Sequence, residues 1–166
     1  MRTLTAALVW VVLSLPEALT AQGARQGGIS ILAGPTSYDL VGTGNGFNAA
    51  LRLDGEVLRF LVLETGASYF RYRPGPSTIS YVMPEIGVQL QVPKGAVRPY
   101  LGGGLGGAAE LKGPSRLLLT LHAAAGLRAR ISEGWGVRGD VRLRSVDPFS
   151  GSTLDFGFGI IRRVGR

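Results

Sequence analysis

VRPYLGGGLGGAAEL, residues Val97 to Leu111, sorts into two unlike faces when it is read with a period of two. Val97, Pro99, Leu101, Gly103, Leu105, Gly107, Ala109 and Leu111 fall on one side, which carries no charge from end to end. Arg98, Tyr100, Gly102, Gly104, Gly106, Ala108 and Glu110 fall on the other, so a charged residue stands at each end of a row of Tyr, Gly and Ala. A strand in a water-soluble sandwich turns its polar face to solvent, where large side chains fit freely. A polar face built mostly from glycine suits a tightly curved sheet with a narrow interior and its apolar side turned to lipid. The stretch predicts one strand of a small transmembrane β-barrel.

Composition is consistent with that reading. The chain has 166 residues, enough for one domain, and 26 of them are glycine, well above ordinary usage and without a collagen period or a Ser/Gln-rich tract. Cysteine is absent and His122 is the only histidine, which excludes disulfide frameworks, thiolate nucleophiles, Cys-based metal sites and multi-histidine sites. No metal and no cofactor is expected. The net charge of +7 is almost wholly arginine, Lys94 and Lys112 being the only lysines. Such a basic chain raises nucleic acid as a partner, but the arginines neither cluster on a helix nor interleave with exposed aromatics, and nucleic acid is set aside.

The N-terminus reads as a targeting segment. Arg2 supplies a positive start, Leu4 to Leu15 an apolar run, and Pro16 with small residues leads to a cleavage site after Ala21. Residues 1–21 are thus expected to be a signal peptide and 22–166 the barrel domain. No later segment approaches eighteen uninterrupted apolar residues, so no transmembrane helix is expected.

The mature chain divides into eight strands of about 18 residues each with their connections, the size of the smallest bacterial barrels. Gly28 to Tyr38 is the first strand, and a Gly-rich link from Val41 to Gly46 leads to Phe47–Leu53, ended by the Asp54-Gly55 turn signal. Val57 to Leu63 is apolar enough to pass for a helix, but its period-two continuation through Arg73 argues for strand. Pro74-Gly75-Pro76 then forces a loop. Ile79 to Val92 alternates most cleanly, with Val82, Pro84, Ile86, Val88, Leu90 and Val92 opposite Tyr81, Met83, Glu85, Gly87, Gln89 and Gln91. Its register is fixed, because a one-residue slip would put Glu85 into lipid. Pro84 cannot donate to a ladder and implies a bulge or local break there. After Val97–Leu111 come Leu117–Ile131, Trp135–Ser145 and Thr153–Val164. Turns after strands two, four and six read as shorter or tighter than the links after one, three and seven, which places both chain ends on the periplasmic side.

The inward row then holds Arg52, Glu64, Glu85, Arg98, Glu110, Arg128, Arg130, Arg138, Asp140, Arg142, Arg144 and Asp155. Buried charges must be paired, so the row predicts an ion-pair network that plugs the interior. The competing reading is a narrow anion-preferring pore, disfavoured because eight strands leave a lumen that side chains fill. Arg71, Arg73, Lys112 and Arg116, with Arg142 and Arg144, gather near loop ends as candidate contacts to lipid phosphates, lipopolysaccharide among them. Tyr69, Tyr100, Trp135, Phe156 and Phe158 are candidates for interfacial aromatic belts, although Tyr100 points inward on the same register. Gly102, Gly104 and Gly107 match a dinucleotide-loop spacing, but no amphipathic helix follows to present its N-terminus to phosphate. His122 falls on the inward face with no serine nearby in sequence, against a catalytic role.

RPYLGGGLG, followed by AAGLRARI and then GVRGDVRLR, resembles the outer-membrane β-barrel domain family, the eight-stranded group that includes OmpA-like barrels. The resemblance spans Gly28 to Arg166. It implies an all-β, antiparallel up-and-down barrel in the outer membrane of a diderm bacterium, inserted by barrel-assembly machinery. It also implies a role in envelope integrity, adhesion or surface exposure. Such chains commonly end on an aromatic residue, whereas this one reads Arg162-Arg163-Val164-Gly165-Arg166, with Phe158 the nearest aromatic. The expectation is a monomeric, non-enzymatic structural or surface-interaction barrel. The alternatives are a soluble periplasmic lipocalin-like barrel that binds a small apolar ligand, which would need an apolar lumen, and a lipid A-modifying barrel enzyme.

Overall fold

Period-two alternation, with glycine where strands curve, gives eight strands in the computed structural model. These are β1 (Gly27–Tyr38), β2 (Gly44–Leu58), β3 (Leu61–Tyr72), β4 (Ile79–Gln91), β5 (Val97–Glu110), β6 (Leu117–Arg130), β7 (Trp135–Val146) and β8 (Gly151–Val164). The structure describes residues 26–38, 44–73, 78–111, 117–147 and 151–165. The signal segment 1–21, Lys112 and Arg116 lie outside the described residues.

Each strand pairs antiparallel with the next, and β8 returns to β1 from Gly27↔Val164 to Tyr38↔Thr153. The sheet is therefore a closed barrel, and closure leaves no edge strand among the described residues. Outward side chains are apolar and exposed: Ile31, Val88, Leu101, Leu119 and Phe158 lie between 51% and 66% exposed. Charged and polar side chains instead fill the centre.

Three local features differ from the sequence reading or refine it. Asp54-Gly55 is not a turn: β2 runs on to Leu58, and the chain reverses at Arg59-Phe60 after a register shift between Glu56 and Leu58. The reason is tertiary. Asp54 points into the lumen, where Arg128 and Arg138 need its carboxylate, and those ion pairs outweigh the turn preference of Asp-Gly. At Pro84 the ladder to β5 skips Met83 and Pro84 but resumes in the same register, so the proline makes a local break and no bulge. Pro35 makes the same break between β1 and β8, and Asn48 Nδ2 fills it by donating to the carbonyls of Gly34, Pro35 and Phe156.

The connections are short at both ends. None between successive strands exceeds six residues, so the contrast between short turns and longer outer loops that the sequence suggested is slight.

Candidate functional site: the lumen

Glycine on the inner side of β5 opens the space that the charged side chains use. A Cβ at Gly104 would stand 2.1 Å from the Ile86 carbonyl oxygen and 2.8 Å from the His122 ring, and one at Gly102 would meet Gln89 Cγ at 2.7 Å. Two strands around the barrel from this thin wall, β7 turns Arg138, Asp140, Arg142 and Arg144 inward on alternate positions, all less than a tenth exposed.

The resulting network is continuous. Arg128 Nη2 lies 3.2 Å from Asp54, which also meets Arg138 Nη1 at 3.4 Å. Arg138 Nη2 donates to Glu64 at 2.6 Å and to Asp140 at 2.9 Å. Glu64 takes a second donor, Arg142 Nη2, at 2.6 Å and a third, Gln89 Nε2, at 2.6 Å. Glu85 carries the chain onward, accepting from Arg144 Nε at 2.5 Å, Arg52 Nη2 at 2.8 Å and Arg142 Nη1 at 3.3 Å. Arg144 ends it on Asp155, which Thr36 Oγ1 also contacts.

Among the described residues that are less than a tenth exposed, five arginines (52, 128, 138, 142, 144) face five carboxylates (54, 64, 85, 140, 155). Formal charge cancels within the buried set. Burying any one of these ions alone would cost several kcal/mol, and multidentate charge-assisted bonds to opposite charges offset that cost. Tyr100 closes the network on the β5 side: its hydroxyl donates to Asp140 at 3.1 Å and accepts from Arg138 Nε at 2.9 Å, while Arg128 stacks 4.5 Å from its ring centroid.

The remaining sequence-predicted residues occupy the ends. Arg98 is half-buried against Glu56 at 3.0 Å, Glu110 is half-buried at the opposite end, and Arg130 is exposed where β6 terminates. Arg142 and Arg144 are only 2% exposed, which corrects their placement at the rim. Arg71 and Arg73 are exposed at the end of β3. Tyr100 belongs to the lumen rather than an aromatic belt, whereas Trp135 is exposed on the outer face with Arg162 stacked 4.9 Å from its ring. His122 is buried beside Arg142 Nη1 at 3.3 Å and Glu85 at 3.8 Å. Gly102, Gly104 and Gly107 lie within β5 and precede no helix.

Two parts of the lumen escaped the sequence reading. Asp54 and Glu56 share the inward parity of Arg52, and extending the β2 period past Gly55 would have found them. The far end is apolar rather than charged: Phe70, Met83, Ala108 and Val146 form a small core. Tyr38, Tyr72 and Tyr81 stack above it, with ring centroids 4.7 and 6.4 Å apart. A cavity of about 100 Å³ opens there, and one of about 40 Å³ at the opposite mouth. The charged network lies between them. A ligand carrier of the lipocalin kind needs an apolar lumen and a polar exterior; the observed sides are largely the reverse.

Comparison with known proteins shows the fold. No family model matches the chain, and no curated protein matches it. Neisserial surface protein A superposes with a TM-score of 0.63 at 15% identity, over 82% of this chain and 94% of that one. The N-terminal β-barrel domain of Pseudomonas aeruginosa OprF gives 0.62 at 14% identity, over 84% and 98%. Ail, the attachment invasion locus protein of Yersinia pestis, in complex with the heparin analogue sucrose octasulfate, gives 0.57 at 19% identity, over 84% and 98%. At these identities the likeness is one of architecture: the chain folds as a closed, antiparallel eight-stranded barrel similar to those of bacterial outer-membrane proteins.

Proposed function

We propose that the chain is a monomeric bacterial outer-membrane protein, exported by the signal peptide of residues 1–21. In this reading it acts as a sealed structural and surface-interaction barrel without enzymatic activity or cofactor. One observation carries the reading: an apolar exterior surrounds a packed lumen whose buried charges cancel. A water-soluble barrel would expose Leu101 and Ile31 to solvent at a cost of about 25 cal/mol per Å² of apolar surface, whereas a bilayer removes that cost. The fold likeness to outer-membrane barrels supports the same location.

Short connections limit what the barrel can present, so contacts with the outer surface fall to the rim. Arg71 sits between Phe47 and Ser80 on neighbouring strands, an apolar-to-polar boundary suited to a phosphorylated lipid headgroup such as that of lipopolysaccharide. Arg73 would extend that contact, and Lys112 and Arg116 are candidates for it on their sequence alone. Insertion would use the barrel-assembly machinery. His122, packed among ions in the lumen, has the surroundings of a structural group.

Membrane fractionation with heat-modifiable electrophoretic mobility tests the reading, together with planar-bilayer recording of the folded protein. The expected result is extraction by detergent only, a band that shifts on boiling, and no current. Release by salt or carbonate would refute the location, and steady anion conductance would refute the seal.

A further inference from the structure

The barrel end that carries both chain ends gathers three arginines against two carboxylates around one cavity. Arg98 of β5, Arg128 of β6 and Arg163 of β8 line one cavity of about 40 Å³, with Asp54, Glu56 and Gln91 as its polar partners. Both carboxylates are already engaged. Asp54 bridges Arg128 and Arg138, while Glu56 accepts from Arg98 Nη1 at 3.0 Å and Gln91 Nε2 at 2.9 Å. The charges that act on Arg163 are mostly of its own sign, namely Arg98, Arg130 and Arg128, against Glu56.

Donors are also left over. The Nε–H groups of Arg98 and Arg128 are buried without a hydrogen-bond partner, and Arg128 is only 5% exposed. A guanidinium N–H held away from both water and an acceptor is costly, more so beside like charges. The volume exceeds the roughly 10–15 Å³ that one water needs, yet is too small for a sugar or a nucleotide. What suits it in charge and size is a small oxyanion, because guanidinium forks match the oxygens of phosphate.

We propose that this mouth binds a phosphate-class oxyanion between Arg98 and Arg163, either free phosphate or the headgroup of an anionic phospholipid. Free phosphate needs only the folded barrel, whereas the lipid form rests on the membrane location proposed above; failure to fold into vesicles would count against that location, and folding without a response would count against the site alone.

The test uses the full barrel folded in phosphatidylcholine vesicles, with thermal unfolding read by heat-modifiable mobility. Inorganic phosphate is titrated against chloride at matched ionic strength. A second arm replaces part of the phosphatidylcholine with phosphatidylglycerol and omits phosphate. The expected result is saturable stabilisation by phosphate, phosphatidylglycerol or both, with apparent affinity weakened about tenfold or more in Arg163→Gln. Response to phosphate identifies the free ion as a ligand; response to phosphatidylglycerol alone identifies the lipid. Arg98→Gln, at a side chain about a fifth exposed, provides the same reading should Arg163→Gln fail to give a folded band. Equal stabilisation by chloride, a response retained in the variants, or no response in either arm would overturn the proposal and leave the cavity to water.

Discussion

Glu64→Gln keeps the shape of the side chain and removes one of five buried negative charges while all five buried arginines remain. The parent carboxylate accepts from Arg138 and Arg142, each at 2.6 Å, and from Gln89 at 2.6 Å. An amide has one oxygen to offer, so one guanidinium keeps an acceptor and the other meets an NH₂ group. Removing one partner of a buried ion pair destabilises by about 3–5 kcal/mol, most of it the penalty on the charge left behind. The single variant should lose about that much stability in urea unfolding of the vesicle-folded barrel, followed by band shift. Glu64→Gln combined with Arg142→Gln returns the buried set to balance. It should be more stable than the sum of the two single losses by about 1–3 kcal/mol, as expected for groups that share one network. A single variant within about 0.5 kcal/mol of the parent would mean that Glu64 does not hold Arg138 and Arg142 in charge balance. So would a double variant as unstable as strict additivity requires.

Three further outcomes follow from the packing of strands and faces. Gly159→Ala should destabilise by about 1–3 kcal/mol in the same assay, since its Cβ would stand 1.8 Å from the Ile31 carbonyl oxygen. Gly139→Ala, whose nearest neighbour is the Phe158 ring at 3.3 Å on the outer face, should stay within about 0.5 kcal/mol. Leu101→Arg places a cation on the most apolar side of β5 and should lose about 2–4 kcal/mol in a bilayer, as measured by equilibrium folding into vesicles; a neutral effect there would mean the residue faces water.

The strands were legible wherever the two faces differ in chemistry. In β4, Glu85 and two glutamines oppose Val88 and Leu90, and in β7 Arg138, Asp140, Arg142 and Arg144 oppose Val137 and Val141, so period two alone assigns their sides. Boundaries were less legible because they depend on partners remote in sequence. Asp54-Gly55 has the composition of a turn, but a turn there would strip Arg128 and Arg138 of a shared acceptor; the actual reversal, Arg59-Phe60, carries no Gly, Pro or Asn signal. Depth along the barrel was also hidden. Arg144 sits near a strand end in sequence, yet its side chain reaches back to Glu85 and Ser68, while Arg130, at the last position of β6, is exposed. The apolar far end was missed for the same reason: Phe70, Met83 and Val146 share inward parity with charged residues, and only the assembled barrel gathers them at one height.

Which side of the sheet meets hydrocarbon can be measured directly, because the sequence has no cysteine and a single one can be introduced. A nitroxide attached at Leu119→Cys, in the barrel folded into vesicles, should be relaxed strongly by dissolved oxygen and weakly by a water-soluble nickel chelate. Strong relaxation by the nickel chelate and weak relaxation by oxygen would put that face in water and contradict the account.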